Sequence, residues 1–417
     1  MKLFSQGIAV LAVAAFLAVA NNGIANDSNW TGWRGGDRSA RVADFTAPAE
    51  WPEELEKGWS VEVGTGHATP ALVDGKLYVH ARQDDDMECI LALDAATGKE
   101  LWRDALKIPY EMDPTATKHG KGPKSSVTVV DGRVFTFGIT GVLSCLDAAT
   151  GKILWRHVFE GRYPKLPRYG AAMSPIVHEG VLIAHVGGDG QGAITAFDVE
   201  SGKEKWSWGG DGPGYASPII VDFGGTKQLI TQTQFNAVGL SPTDGKLLWK
   251  YDYSTTSDQN SVSPVVVGDI LVMSGYHKGT EGFRLKEGKL EQAWKTSKAS
   301  MYMSTPLVKG QNLIGFSEKR RGQYFCLDAT SGDILWTGDG REGENAALVD
   351  VGSVILALNT ASELVVFTAE TEDYDELARY EVADSPTWAH PVVSGRTVYI
   401  KDETHLTRWS IPDAPAK

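Results

Sequence analysis

The chain has 417 residues, 42% of them hydrophobic, and a formal charge of −13. That length and apolar content suffice for a large buried core, while net acidity without a long basic run excludes a nucleic-acid partner. Three cysteines in a chain of this size argue against a disulfide scaffold, and no Cys/His spacing suggests zinc or haem attachment.

Residues 1–25 read as an export signal. Lys2 precedes an apolar run over 8–20 that is short for a bilayer span, and Ala18-Val19-Ala20 and Gly23-Ile24-Ala25 both offer small-x-small cleavage sites. An uncleaved anchor is the alternative. No later stretch is long and apolar enough to span, so a periplasmic or secreted protein is expected. The first cysteine, Cys89, lies far beyond the signal, so no lipoprotein lipobox is present. Residues 26–57 follow, with Trp30-Thr31-Gly32-Trp33-Arg34-Gly35-Gly36-Asp37-Arg38 at their centre. This segment is too Gly-rich for a long strand and too aromatic for a free tail. It is expected to pack as an extension on the body formed by 58–417.

That body is built from a repeat. Leu93-Asp94-Ala95-Ala96-Thr97-Gly98-Lys99-Glu100-Leu101-Trp102 returns almost unchanged over 146–155, with Asp147, Gly151 and Trp155, and in worn form ending at Trp206, Trp249 and Trp336. A looser copy ends at Trp294 after two extra residues. In the unit over 68–102, the apolar Ala71-Leu72-Val73 meets an Asp74-Gly75 hairpin turn and returns as the alternating Lys76-Leu77-Tyr78-Val79-His80. A third strand leads to Asp94, which caps its own turn, and Gly98 supplies a positive φ before the fourth strand. Four short antiparallel strands per repeat make a propeller blade. The tryptophan is a large flat filler between blades, a structural role.

Fourth-strand aromatics recur at Trp59, Trp102, Trp155, Trp206, Trp249, Trp294, Trp336 and Tyr380, 42 to 53 residues apart. After Tyr380 only three strands remain, and ahead of the first blade stands one orphan strand around Trp59. The two remnants complete each other, so an eight-bladed, all-β propeller closed by its N-terminal strand is expected. Cys145 and Cys326 hold equivalent strand positions and are expected to be buried thiols.

The Asp-x-x-Thr-Gly-x-x-x-Trp repeat, with Ser/Thr-Pro opening most inner strands, resembles the pyrroloquinoline-quinone (PQQ) type β-propeller repeat. That family includes quinoprotein alcohol dehydrogenases and the assembly lipoprotein of the outer-membrane Bam complex. The resemblance runs from Trp30 to the end; it implies the fold and leaves the function open.

Ligands of a propeller are sought at the mouth of its channel. Three residues before each strand-opening proline, or its equivalent, stand His67, Lys124, Ala172, Tyr215, Ser261, Met303, Gly343 and Trp388. Tyr169, Asn260, Tyr302, Glu344, Asn345 and His390 are expected beside them. This mixture suits a binding funnel; side chains that merely plug a narrow channel are the alternative. Two long connections, 104–121 and 159–170, swell the same face and carry Lys107, Lys118, His119, Lys121, Arg162, Lys165 and Arg168. With Lys124 they read as a positive surface for an anionic ligand or acidic partner, or as a solvated charge run. Lys319-Arg320-Arg321 extends the surface if its loop reaches this face.

The quinoprotein branch of the resemblance implies PQQ flat against a tryptophan, a calcium ion, an aspartate base and often an adjacent cysteine pair. Trp388 could serve the quinone, but there are no adjacent cysteines, and Asp258, Asn260, Glu344 and Asn345 form no calcium motif. Nucleophile-elbow, zincin and P-loop motifs are missing. The sequence therefore reads as a non-catalytic binding or scaffold protein without a cofactor, taking an envelope protein, a peptide or a polysaccharide. The alternative is a PQQ- and calcium-dependent alcohol dehydrogenase-like oxidoreductase. A hydrolase or lyase assembled from dispersed loop residues would leave no motif.

Overall fold

The structure, a computed structural model, describes residues 29–159, 161–163 and 165–413. The expected export signal lies outside the described residues. Within them, thirty-two strands form eight four-stranded antiparallel sheets. In the first full blade the strands are Ala71–Val73, Lys76–Gln83, Met87–Asp94 and Glu100–Lys107, from the channel outward. Its hairpin turn has φ of 49° at Asp74 and 73° at Gly75. Two successive positive values match the right-handed twist of the flanking strands.

The eighth blade confirms the closure. Glu56–Glu62 pairs with His405–Ser410, placing Ser60 opposite Thr407 with their hydroxyls 2.8 Å apart. No blade is left with an open fourth position.

Blades meet at two joints, and the repeat motif builds both. At the outer joint the indole N–H of six of the seven repeat tryptophans donates to a carbonyl on the next blade. Trp59 reaches Ala95 at 3.1 Å, Trp102 reaches Ala148 at 3.0 Å, and Trp155 reaches Val199 at 3.0 Å. Trp206, Trp294 and Trp336 do likewise to Pro242, Ala329 and Glu370. The ring lies on the turn glycine: a Cβ at Gly98 would come within 2.7 Å of Trp59, and one at Gly151 within 2.5 Å of Trp102. Trp249 differs. The fifth blade's last turn is a two-residue hairpin between Lys286 and Lys289, and Trp249 instead donates to Gln228 of its own blade at 2.6 Å. The two extra residues of the looser repeat thus lengthen paired strands.

The inner joint explains the Ser/Thr-Pro signature. The backbone N–H of Thr69 donates to Ser126 Oγ, Ser126 to Ser174, Ser174 to Ser217, Ser217 to Ser263 and Ser263 to Thr305, at 2.9 to 3.2 Å. His390 N–H closes onto Thr69 Oγ1 at 3.0 Å. Each hydroxyl satisfies a buried amide of the preceding blade, and an unmade bond there would cost about 1–3 kcal/mol. In the seventh blade Asn345 stands at the Ser/Thr position, and its Oδ1 accepts from Met303 N at 3.0 Å and Ser304 Oγ at 3.3 Å.

The segment after residue 29 runs beneath this ring. Trp30 exchanges two backbone hydrogen bonds with Leu72, and Thr31 accepts from Val129. Ala40 and Val42 bond to Asp350 of the seventh blade. Among the described residues, no helix is long and apolar enough to cross a membrane.

Two glycine substitutions separate conformational strain from overlap. Gly288 has φ of 74° and nothing within 4 Å of where an added Cβ would stand, so Gly288→Ala should cost only the left-handed penalty, about 1–2 kcal/mol. Gly151→Ala shares the φ, at 73°, and also drives a methyl into Trp102, adding about 1–3 kcal/mol. Urea unfolding of the two variants should therefore show a clearly lower midpoint for Gly151→Ala.

Candidate functional site

Strand-opening segments aim a first tier of side chains into the channel: His67, Lys124, Ala172, Tyr215, Ser261, Met303 and Trp388. Below lies the hydroxyl tier of Thr69, Ser126, Ser174, Ser217 and Ser263, and Trp33 and His390 meet edge to face further in, with ring centroids 6.0 Å apart. Together they enclose a cavity of about 170 Å³.

Both ends of the channel are covered. At the inner end Arg34 donates to the carbonyls of Thr305 at 2.7 Å and Pro306 at 2.8 Å, and Arg38 to those of Pro218, Ser174 and Pro175. Burial pulls both guanidinium pKa values down to about 9, so both stay charged at neutral pH. At the mouth sits the 3-10 helix Pro114–His119, whose first turn is capped by Asp113 accepting from Thr115 N–H at 2.8 Å. His119 packs edge-on against Trp388 at 5.8 Å and Tyr169 at 6.2 Å. His67 Nε2 donates to the His119 carbonyl at 3.0 Å, which sets the His67 tautomer. The helix is tethered by Lys118 to Glu344 at 3.3 Å and by Lys121 to Asp85 at 2.8 Å.

The electrostatics of the cavity follow from burial. His67 is pushed down to about 3 by desolvation, with Lys124 and Lys401 adding to it; His119 falls to about 4 and His390 to about 3 for the same leading reason. These imidazoles are neutral at physiological pH. Desolvation also lowers the Lys124 ammonium to about 8, and it donates to the Tyr169 carbonyl at 2.5 Å.

With this geometry in view, the comparisons with known proteins are informative. The family model described as outer membrane protein assembly factor BamB matches residues 86–338. The chain belongs to that family. The BamB of Shewanella oneidensis is 21% identical over 365 residues, covering 83% of this chain and 86% of its own. The quinohemoprotein alcohol dehydrogenase of Comamonas testosteroni is 35% identical over 166 residues, which is 38% of this chain but only 21% of that enzyme. The crystal structure of the Comamonas enzyme superposes with a TM-score of 0.67 at 16% identity, over 94% of this chain and 82% of that one, a likeness of fold.

Within this BamB-family propeller the expected mouth residues divide into three groups. His67, Lys124, Tyr169, Tyr215, Trp388 and His390 all line the cavity. Tyr302, Gly343 and Glu344 line a separate depression of about 640 Å³ beside the mouth, shared with Lys118, Tyr276, His277, Glu318, Arg321 and Arg341. Asn260 and Asn345 face neither. The Asn260 amide donates to the carbonyls of Tyr253 at 2.7 Å and Thr233 at 2.8 Å, and Asn345 is consumed in the inner joint. Buried amides between adjoining loops make internal hydrogen bonds that strand counting cannot foresee.

The expected positive surface is corrected at five of its residues. Lys118, Lys121 and Arg162 each face a carboxylate, Lys124 is turned into the channel and His119 is neutral. Sequence reasoning gave Trp33, Arg34 and Arg38 no place in the channel, although the Trp-Arg-rich run was visible. The hydroxyl tier was visible as Ser/Thr-Pro, without its function.

Calcium prefers carboxylate and other hard oxygen ligands, and no carboxylate lines the channel cavity. Among the described residues no group of three or more His, Cys, Asp or Glu side chains is placed to hold a metal. The cavity, about 170 Å³, is also smaller than the roughly 300–1,000 Å³ of ordinary small-molecule clefts. The residues present do not fit PQQ with calcium.

The depressed histidines make stability pH-dependent. Between their unfolded pKa of about 6.5 and folded values of about 3 to 4, the unfolded chain binds protons that the folded chain does not. The stability is full above 6.5 and is lost as pH falls towards 4. Thermal unfolding followed from pH 7 to pH 4.5 should show a falling Tm, and His390→Gln should flatten that slope.

Proposed function

We propose that the protein is an exported, non-catalytic binding or scaffold protein of the cell envelope, presenting its loop-covered channel mouth to a protein or peptide partner. The observation that carries this reading is the donor set of the channel. Its cavity has no carboxylate, and its imidazoles, with pKa values near 3 to 4, are weak bases at neutral pH. Its ammonium already serves a backbone carbonyl. Alcohol oxidation by a quinone needs a base that reaches the substrate hydroxyl. Membership of the BamB family supports the envelope setting.

A quinoprotein dehydrogenase is the second reading, favoured by the 166-residue similarity to the Comamonas enzyme and by Trp388 at the mouth. The two separate in one assay. Purified protein supplied with PQQ and calcium should show no dye-linked alcohol oxidation above a blank; turnover that Trp388→Ala abolishes would establish the dehydrogenase instead. Under the binding reading, immobilised protein should retain an envelope partner that is lost on Tyr169→Ala or Trp388→Ala. Unchanged retention by both variants would remove the channel mouth from the proposal.

A further inference from the structure

The depression beside the mouth has features that the channel does not use. Its floor is a stack of three rings: Tyr276 lies 3.8 Å from His277 and 4.4 Å from Tyr302, centroid to centroid. Two carboxylates stand at its sides. Glu318 accepts from His277 N–H at 2.8 Å and Ser300 Oγ at 2.7 Å, and Glu344 faces Lys118. The remaining charges, Arg321 and Arg341, are exposed, and among the described residues neither guanidinium has an ion-pair or hydrogen-bond partner.

The backbone holds these two arginines in place. Arg341 N–H donates to the Arg320 carbonyl at 3.0 Å and Glu342 N–H to that of Gly322 at 3.2 Å, joining the two loops. His277, Arg320, Arg321 and Arg341 all adopt positive φ, from 53° to 71°. Three of these, His277, Arg321 and Arg341, line the depression itself, and such strain gathers at ligand sites. At about 640 Å³ the depression lies in the size range of ligand clefts.

We propose that this depression binds an anionic oligosaccharide, with Arg321 and Arg341 pairing its carboxylate or sulfate groups. A guanidinium fork matches such groups bidentately. An acidic peptide and an anionic sugar both bring negative charge near Glu318 and Glu344, but only the sugar also carries ring hydroxyls that can donate to those carboxylates. Tyr276 is covered on both faces by its neighbours in the stack, so the apolar ring face for pyranose C–H bonds is that of Tyr302 at the end of the stack. This inference rests on the reading of the chain as a binding protein, but it does not require the channel mouth to hold a partner.

Calorimetric titration of the purified protein with tetragalacturonate tests it. Binding is expected, weakened about tenfold by methyl esterification of the sugar and about tenfold by Arg321→Asn or Arg341→Asn, as loss of a charge-assisted contact implies. Asparagine tolerates positive φ, so these variants remove the guanidinium and keep the loop; unchanged Tm confirms it. Lys227→Asn, on another blade, should leave binding unchanged. A sulfated tetrasaccharide tells whether sulfate replaces carboxylate. No binding of either sugar at millimolar concentration, equal binding of the methyl ester, indifference to both arginine variants, or equal binding of oligoglutamate would each overturn the proposal. Recovery of an envelope partner through Tyr169 and Trp388 is read in a separate experiment, so the two proposals fail independently.

Discussion

A twisted four-stranded blade cannot bury both faces by itself, and in this molecule six of the eight joints are completed by a tryptophan of the preceding blade that donates to the next. The contact is specific because two residues of one motif meet across the joint. The ring of Trp102 lies where any side chain at position 151 would have to stand, and its N–H takes the carbonyl of Ala148 from the same turn. Gly151 is thus required twice, once for its φ of 73° and once for the space above it. Nearer the axis, the Ser/Thr hydroxyls answer a different need, giving partners to amides that the ring buries. Outer packing and inner hydrogen bonds together set the spacing of the blades, and thereby the width of the channel.

That channel is covered at both ends. Arg34 and Arg38 cover the inner end by donating to carbonyls of the third, fourth and sixth blades, so one segment braces distant parts of the ring. The mouth is covered more lightly. Exposed ion pairs such as Lys118 with Glu344 contribute about 0–1 kcal/mol, while the packing of His119 on Trp388 and Tyr169 supplies an apolar contact. Burial leaves the imidazoles neutral, while the Arg321 and Arg341 guanidiniums beside the mouth are exposed and charged.

Much of the channel was legible in the sequence because register is periodic. Three residues before a strand-opening proline, or its equivalent, is the same place in seven of the eight blades, so His67, Lys124, Tyr215 and Trp388 were brought together by counting alone, whereas Gly343 by the same count falls in the neighbouring depression. The expectation that Asn260 and Asn345, as neighbours of the counted positions, face the mouth failed because a short amide bonds to whichever carbonyl or amide adjoins it. The reading of 104–121 as a positive run failed at Lys118 and Lys121, whose partners Glu344 and Asp85 lie 226 and 36 residues away. Charges clustered along a chain do not remain clustered in potential when the fold supplies the opposite sign.

By itself the sequence determined the repeat, the four-stranded unit, the number of blades and their closure by the strand around Trp59. Each of these follows from local chemistry: turn residues, strand alternation, and one aromatic at a fixed interval. Tertiary structure alone decided that Trp33 lines the inner end of the channel with Arg34 and Arg38 bracing the carbonyls around it, that His119 lids its mouth, and that Tyr276, Tyr302, Arg321 and Arg341 surround one depression. Those groupings join loops from different blades, and their geometry depends on how the closed ring brings those loops together, which no single repeat encodes.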